Sequence, residues 1–553
     1  MKNINKISIF LLLMLGLAFT SCETTDLDLL DDPNDVTIEK ADLDRFLVAI
    51  QNDYKTFMHE MGDNGARLTR VEYLFGRVYA NSFDASSTDG EWGDAYQKVF
   101  SNMKGAEELA EPAGATKHLG VINILRASVL LTLVDFYGDV PYSEATNPSE
   151  FPFPGVDDDA AVYADALALL DEAIVQLGGA GDDLGSDFFY NNDFSKWIKF
   201  ANTLKMNSYL NTRLVDSDAA NKFNTIVSSG NFISSTADDF EFLYAVDDRA
   251  RHPYYVDDYA VSGAGNYRSN WLMEQMLETN DSRLRYYFYR QVPCTPGNVD
   301  ADGVMCPVSP TALFCSTQAR PVHYPVSMTY CSVASGYWGR DHQEDGGIPP
   351  DSFKRTTIGV YPAGGRFDDN DFTVVGVDQG GQGAGTTPIM LASWVDLMRA
   401  EFALASGDAG GANTFLQNAL NKSVAKVQTY ISVDPTADSS FEPSSADVSA
   451  FITGVGAAFA AGGTNTQWDI LANQQFIAHY GNGIESYNFY RRTGFPTSLQ
   501  FSIDPSFGGP FVKSFFYAAD EANTNNNVTQ KANQGVQIFW DTNPGSPGFP
   551  FAN

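Results

Sequence analysis

Two stretches of this chain set flat aromatic rings beside amide, carboxylate and guanidinium groups. That combination binds a sugar without breaking it: ring faces cover the apolar faces of a pyranose while the polar groups take its hydroxyls. The first stretch carries Tyr79, Asn81, Phe83, Asp84, Asp89, Glu91 and Trp92; the second joins Tyr286, Tyr287, Tyr289 and Arg290 to Tyr337, Trp338 and Arg340. Each ring has a competing use, because aromatics bury so much area that at any single position core packing outweighs ligand contact. Trp92, flanked by Gly90 and Gly93, and Trp338, flanked by Gly336 and Gly339, are expected in loops rather than on buried helix faces and are the two leading candidates.

Catalytic signatures are missing. The chain has no GxSxG nucleophile elbow, no HExxH zinc pair and no GxxxxGK[ST] phosphate loop. Its 69 acidic residues make an Asp/Glu pair for glycoside hydrolysis arithmetically easy, so abundance alone argues nothing. His342 has acidic neighbours in Asp341, Glu344 and Asp345, and a solvated polar loop is the expectation there. Asn298, Asp300, Asp302 and Gly303 copy the first half of a calcium loop, but Ser309 stands where the bidentate carboxylate belongs, leaving an exposed acidic turn as the default and no metal or other cofactor expected. Arg491 and Arg492 offer guanidinium forks suited to tying a helix end to acids or carbonyls within a scaffold. Asp135, Asp139 and Glu144 read as turn and capping groups.

Composition narrows the classes further. Hydrophobic residues make up 44% of 553, aromatics 13%, enough for a large core. With 35 Lys and Arg against 69 Asp and Glu, the formal net charge is −34, which repels phosphates and excludes nucleic acid as a partner. Lys2 and Lys6 precede an apolar run from Ile7 to Phe19, too short for the roughly 20 residues of a membrane helix, and residues 1–21 read as a secretory signal. Phe19-Thr20-Ser21-Cys22 resembles a lipobox, in which Cys22 is acylated and becomes the mature N-terminus; Phe19 stands where Leu is usual. Glu23, Asp26 and Asp28 follow, an early acidity similar to a surface-export signal. The other cysteines, Cys294, Cys306, Cys315 and Cys331, suit disulfides in an exported chain. Three pairings are open, of which Cys294–Cys306 with Cys315–Cys331 closes the shortest loops.

These groups need elements to hold them. After a polar tether over residues 22–37, the stretch 41–227 reads as consecutive helices. Val162, Ala166, Leu169, Ala173 and Leu177 share one helical face, and Val121–Phe136, with Arg126 its only charge, belongs at the centre of a helical layer. Tyr163, Ala166 and Leu167 have the spacing of a tetratricopeptide first helix. Helices resume over 388–495, from Pro388 to Gly407, Asn413 to Thr429 and Thr466 to Phe489. Between them, residues 231–387 are rich in Gly, Pro, Asp and aromatics with few helical periods beyond Trp271–Leu277, and 501–553 reads as extended tail.

Six separated stretches then carry a resemblance. They are Leu29-Leu30-Asp31-Asp32-Pro33-Asn34; Arg126 with Asp135-Phe136-Tyr137-Gly138-Asp139-Val140-Pro141-Tyr142-Ser143-Glu144-Ala145; Trp197-Ile198-Lys199-Phe200-Ala201-Asn202; Tyr337-Trp338-Gly339-Arg340-Asp341-His342; Met398-Arg399-Ala400-Glu401; and Glu485 with Arg491-Arg492-Thr493-Gly494-Phe495-Pro496. In this order the chain resembles the SusD/RagB family of outer-membrane nutrient-binding lipoproteins. The resemblance implies a mainly α fold: a single body over residues 38–553, built as a tetratricopeptide-like scaffold of about four helix pairs with a long irregular, aromatic-rich, ligand-facing insert. It also implies an outer-membrane, lipid-anchored position facing the cell exterior and docking on a SusC-type TonB-dependent β-barrel transporter, which receives the captured glycan or peptide. In such proteins the loop corresponding to Tyr79–Trp92 contributes to the ligand platform. A surface glycan-degrading enzyme using an Asp/Glu pair, and a surface scaffold that binds no nutrient, are the competing readings.

Overall fold

A computed structural model describes residues 42–543 of the chain, apart from 248, 261, 296, 297, 299–302, 307–318, 332, 334, 335, 348, 349 and 505–510. Cys22, Asp300, Asp302, Cys315, the signal and the tether lie outside the described residues.

Helix α1 (Leu43–Leu68) starts where the Asp42 carboxylate accepts the backbone N–H of Asp44 at 3.0 Å. It is followed by α2 (Ser101–Ala113), α3 (Thr116–Tyr137), α4 (Asp159–Gly178), α5 (Phe194–Asn211) and α6 (Ala219–Ser229). α3 is long and apolar enough to cross a membrane, yet it is buried in the core, with its lone arginine, Arg126, paired to Glu107 at 2.5 Å. α3 and α4 approach closely because Gly120 has no side chain: a Cβ there would lie 2.7 Å from Leu177. α4 buries Val162, Tyr163, Ala166, Leu170, Ala173 and Leu177, whereas Leu169 is half-buried.

The middle of the chain supplies β1 (Phe240–Leu243), α7 (Pro253–Tyr259), α8 (Asn270–Glu278), β2 (Phe288–Tyr289), β3 (Thr357–Ile358) and β4 (Thr386–Met390), joined by long irregular segments. Helices return as α9 (Ala392–Ala405), α10 (Ala409–Thr429), α11 (Ser445–Ala461), α12 (Thr464–Ala478) and α13 (Ile484–Thr493). The pairs α3/α4, α5/α6, α9/α10 and α11/α12 pack side by side, and one hydrophobic cluster runs through them and the middle region. The fold is mainly α, of the tetratricopeptide-like kind.

Three local expectations change. Pro388 sits in β4 opposite Glu241 of β1, not at a helix start. A two-stranded ribbon leaves each strand an outer edge where a missing N–H costs nothing. The expected helix Thr466–Phe489 is two, α12 and α13, broken where Gly481 adopts φ 101°. α11 was not anticipated, because its Ala- and Gly-rich sequence shows little polar–apolar contrast; the capping box of Ser444 and Asp447 starts it.

The arginine motif is structural. Arg492 Nη2 lies 2.8 Å from Glu401 Oε2 on α9 and 2.6 Å from Glu485 Oε1 on α13, and Nη1 also donates to Asn211 at the end of α5. Arg491 stacks over Tyr487 at 3.8 Å and Trp540 at 4.7 Å. Asp139 and Glu144 are turn and capping groups, accepting from the backbone N–H of Asp159 and Gly155. Asp135 is instead buried in α3, where it accepts from Trp540 Nε1 at 2.8 Å and Asn488 Nδ2 at 2.7 Å, so it ties the tail to the scaffold. Cys294 and Cys306 form a disulfide, Cα to Cα 6.0 Å, and Cys331 is disulfide-bonded as well.

Candidate functional site

Helix α1 has two unlike faces at its C-terminal half. On one, Gly62 and Gly65 let the 482–483 turn approach so closely that a Cβ on Gly65 would lie 2.5 Å from the Gly483 carbonyl oxygen. On the other, Glu60, Asp63, Asn64 and Arg67 recur at i, i+3, i+4 and i+7 and so line up as a polar stripe. The stripe is one wall of a cavity of about 320 Å³; the segment 72–91 and residues 253–268 around α7 form the others.

The walls are cross-braced. Asp63 accepts from Tyr254 OH at 2.6 Å and pairs with Arg67 at 2.6 Å. Asn64 donates to Glu91 at 2.7 Å. Arg268 Nη1 donates to both carboxylate oxygens of Glu72, at 3.0 and 3.1 Å, and Nη2 donates to Asp258 at 3.2 Å. Arg268 is 2% exposed, yet its Nε has no partner among the described residues. Tyr73 and Tyr267 add ring surface, meeting edge to face at 5.9 Å, and Tyr267 OH is fixed by Asp351 at 2.7 Å. Phe75, 53% exposed, is beside the rim, its carbonyl accepting from the cavity-lining Ser82 hydroxyl at 2.7 Å.

Burial dominates the titration of the site. It pushes Glu72 up to about 7, helped by Asp63 and Asp258 and opposed by Arg268. Burial, then the charges of Asp94 and Glu91, pushes Glu60 to about 7. Glu91 and Asp257 are raised as well, by burial first. His59 is drawn down to about 4 by burial and is neutral. Burial alone would lower Arg268, but Asp258 and Glu72 outweigh it and hold the guanidinium charged. The cavity therefore presents oxygen acceptors, fixed amide and guanidinium donors and a rim of rings, which is hydrogen-bonding equipment for a hydroxyl-rich ligand.

The residues expected to touch ligand stand mostly behind this cavity. Trp92 is on a helical turn, Asp89–Gly93, 5% exposed, packed on Tyr96, Tyr137 and Tyr517; the glycines beside it do not make a loop. Tyr79 is 1% exposed, its hydroxyl 3.1 Å from His342 Nε2, and His342 is itself buried and kept neutral by burial rather than solvated. Trp338 and Arg340 are buried against Tyr267: Trp338 Nε1 donates to Asp351 at 3.3 Å and the Arg340 guanidinium lies 4.3 Å from the Tyr267 ring. They position a wall residue and offer no open face. Asn81 and Asp84 are exposed; Asp84 accepts the N–H of Ser86 and of Ser87, each at 2.9 Å, and so fixes Ser87 at the cavity wall.

Tyr286, Tyr289 and Tyr337 belong elsewhere. Tyr286 packs on Phe367 and donates to Glu442 at 2.8 Å, Tyr289 donates to the Thr373 carbonyl at 2.9 Å, and Tyr337 lies under Arg290, which pairs with Asp368 at 2.6 Å. Large aromatics in an irregular region are what hold it together, so all three are core. The sequence reading missed the α1 stripe, although the 60/63/64/67 spacing of polar residues on one helical face was a legible signal.

Residues 48–310 match the family described as "Starch-binding associating with outer membrane", and residues 377–541 the one described as "Susd and RagB outer membrane lipoprotein". No curated protein matches the chain. Similar solved structures include a chitin-binding protein at 20% identity and TM-score 0.64, covering 91% of this chain and 100% of that one. A SusD/RagB family protein from Bacteroides thetaiotaomicron is similar at 17% identity and TM-score 0.62, with the same coverages of 91% and 100%. A chitin-binding SusD homolog from Flavobacterium johnsoniae is similar at 16% identity and TM-score 0.58, again over 91% and 100% of the two chains. These likenesses carry the fold, and with the two family matches, which between them span the helical blocks at both ends, the chain belongs to the SusD/RagB family of outer-membrane lipoproteins.

Proposed function

We propose that this protein is a cell-surface lipoprotein, acylated at Cys22, that captures an oligosaccharide nutrient in the α1-lined cavity and passes it, uncleaved, to a SusC-type TonB-dependent β-barrel transporter. The observation that carries the reading is the polar stripe Glu60, Asp63, Asn64 and Arg67 facing Tyr73 and Tyr267 across about 320 Å³. A site of that size takes one or two sugar units of a longer chain, with the rim at Phe75 available to the next. The printed names of two similar structures describe chitin-binding proteins, which supports a saccharide ligand. Binding without cleavage is supported by the description of the matched family, which names starch binding and no reaction.

The test is calorimetric titration of the detergent-solubilised protein with oligosaccharides that bind on an array, followed by Asp63→Ala and Asn64→Ala. Each variant is expected to weaken binding by roughly tenfold or more, since each removes a polar partner from a desolvated site. Unchanged affinity in both would remove the ligand from this cavity.

A further inference from the structure

The sequence Pro321-Val322-His323-Tyr324-Pro325-Val326-Ser327-Met328 repeats one pattern twice. Each half is a turn that opens on a proline and closes with a backbone bond, Tyr324 N–H to the Pro321 carbonyl and Met328 N–H to the Pro325 carbonyl, both at 3.0 Å. The fourth residue of each turn points inward, so Tyr324 and Met328 are buried. The second points outward: Val322 is fully exposed and Val326 92% exposed. The loop is held in that posture. Arg320 Nη1 donates to the carbonyls of Pro325 at 2.7 Å and Val326 at 2.5 Å, Tyr324 OH donates to the Phe501 carbonyl at 2.6 Å, and Gln500 Nε2 donates to the Thr329 carbonyl at 3.0 Å. His323 Nε2 lies 2.9 Å from the Ser502 carbonyl, the Ser502 hydroxyl bonds the Gln343 side chain, and Gln343 N–H donates to the Leu74 carbonyl at 2.8 Å. The loop therefore adjoins Phe75 at the cavity rim. Two valines fixed in water forgo the burial that drives folding, which marks a surface shaped to be covered.

Charge and position narrow what covers it. Residues 303–340 contain no Asp or Glu, in a chain that has 69 among 553. The acids beside the loop, Asp345 and Asp504, both act on Arg77, which pairs with Asp345 at 2.9 Å. A second copy is disfavoured by the net charge of −34 on each chain. A lipid surface is disfavoured by chemistry, because the loop has neither lysine nor tryptophan and its one arginine is spent on its own carbonyls. It is disfavoured by position as well. Arg70, two residues past α1, donates to the Gln500 carbonyl at 2.9 Å, so the loop stands at the far end of a 26-residue helix, about 39 Å from where the anchor segment enters. What fits is a protein with an uncharged, apolar recess. We infer that the loop Arg320–Met328 is the surface on which the transporter docks, with Val322 and Val326 seated in such a recess and the cavity rim beside it. The inference rests on the hand-over reading and names the surface that serves it.

The test is co-purification of the full-length tagged protein from native outer membranes in mild detergent, beside Val322→Asp/Val326→Asp, with the bound barrel identified and quantified by mass spectrometry. The unaltered protein is expected to carry a TonB-dependent barrel in stoichiometric amount. The variant is expected to carry at least about tenfold less at an unchanged melting temperature, since both side chains are in water and their loss touches only the contact. In a second arm p-benzoylphenylalanine replaces Val322 in the full chain, and illumination of the membranes is expected to join it to that barrel. If the variant melts lower than the unaltered protein, this adduct decides. An equal yield of barrel with a folded variant, or an adduct to lipid or to a second copy, overturns the inference and leaves the hand-over reading standing. No barrel with the unaltered protein overturns both.

Discussion

Glu72 and Arg268 face each other fully buried, both carboxylate oxygens accepting from one guanidinium nitrogen at 3.0 and 3.1 Å. Such a pair repays its desolvation only while both members are present. Arg268→Ala should therefore cost about 3–5 kcal/mol at neutral pH, measured by urea unfolding, because Glu72 and Asp258 are left buried without a cation. The loss should shrink below about pH 5, where Glu72 is protonated in either background. A loss independent of pH would mean that packing of the arginine stem, not the charge pair, is what matters.

The buried titratable groups set a pH optimum, and the signs can be worked out. Glu60, Glu72 and Asp135 are raised to about 7, and Asp239 and Asp341 to about 6, burial being the first cause in each. A raised carboxyl contributes stability that is complete below its unfolded value near 4 and is lost as pH rises through 6 to 7. His59 and His479, drawn down to about 4 and about 3 by burial, act oppositely: their contribution is complete above 6.5 and is lost as pH falls through those values. Between about pH 4 and 6 the five carboxyls outweigh the two histidines, so the melting temperature should be highest near about pH 4 to 4.5 and fall as pH rises toward 7. Glu60→Gln should raise the melting temperature at pH 8 and leave it nearly unchanged at pH 4.5. An increase of equal size at both pH values would mean that Glu60 is not the group being ionised.

The scaffold was legible from sequence for physical reasons that the α1-lined cavity did not share. The α4 stripe and the charge-poor α3 segment state their burial in their periodicity, and a helix reads the same wherever it packs. Arg491 and Arg492 were also read correctly as scaffold groups, because a guanidinium fork with acids available seldom stays free. The cavity is different: its walls come from α1, the 72–91 segment and residues 253–268, and no local pattern says that these meet. Glycine flanks misled at Trp92, which is on a helical turn; Trp338 is in a loop as expected, but its ring is buried. Gly336, with φ 85°, and Gly339 are there because a Cβ would strike backbone oxygens of Val292 and Arg268 at 2.2 Å, so they mark close packing around a buried ring rather than exposure. Asp84 is exposed, and its carboxylate serves the turn that carries Ser87.

The two tryptophans accordingly separate support from contact. Trp92, enclosed by Tyr96, Tyr137 and Tyr517, has no path to ligand except through the fold. Trp92→Ala should cost about 3–5 kcal/mol of stability, and Trp92→Phe, which keeps a ring in place, should retain the affinity of the unaltered protein for a saccharide ligand. Trp338 reaches the cavity at one remove, through Asp351 to Tyr267. Trp338→Phe keeps the packing but removes the indole donor, so Asp351 and the Tyr267 hydroxyl lose a restraint; affinity should fall a few-fold while stability falls by about 1 kcal/mol. Tyr267→Ala should lose far more affinity than either, since the wall itself is gone. Titration and urea unfolding of the four variants decide the matter: if Trp92→Phe abolishes binding at unchanged stability, Trp92 touches ligand after all.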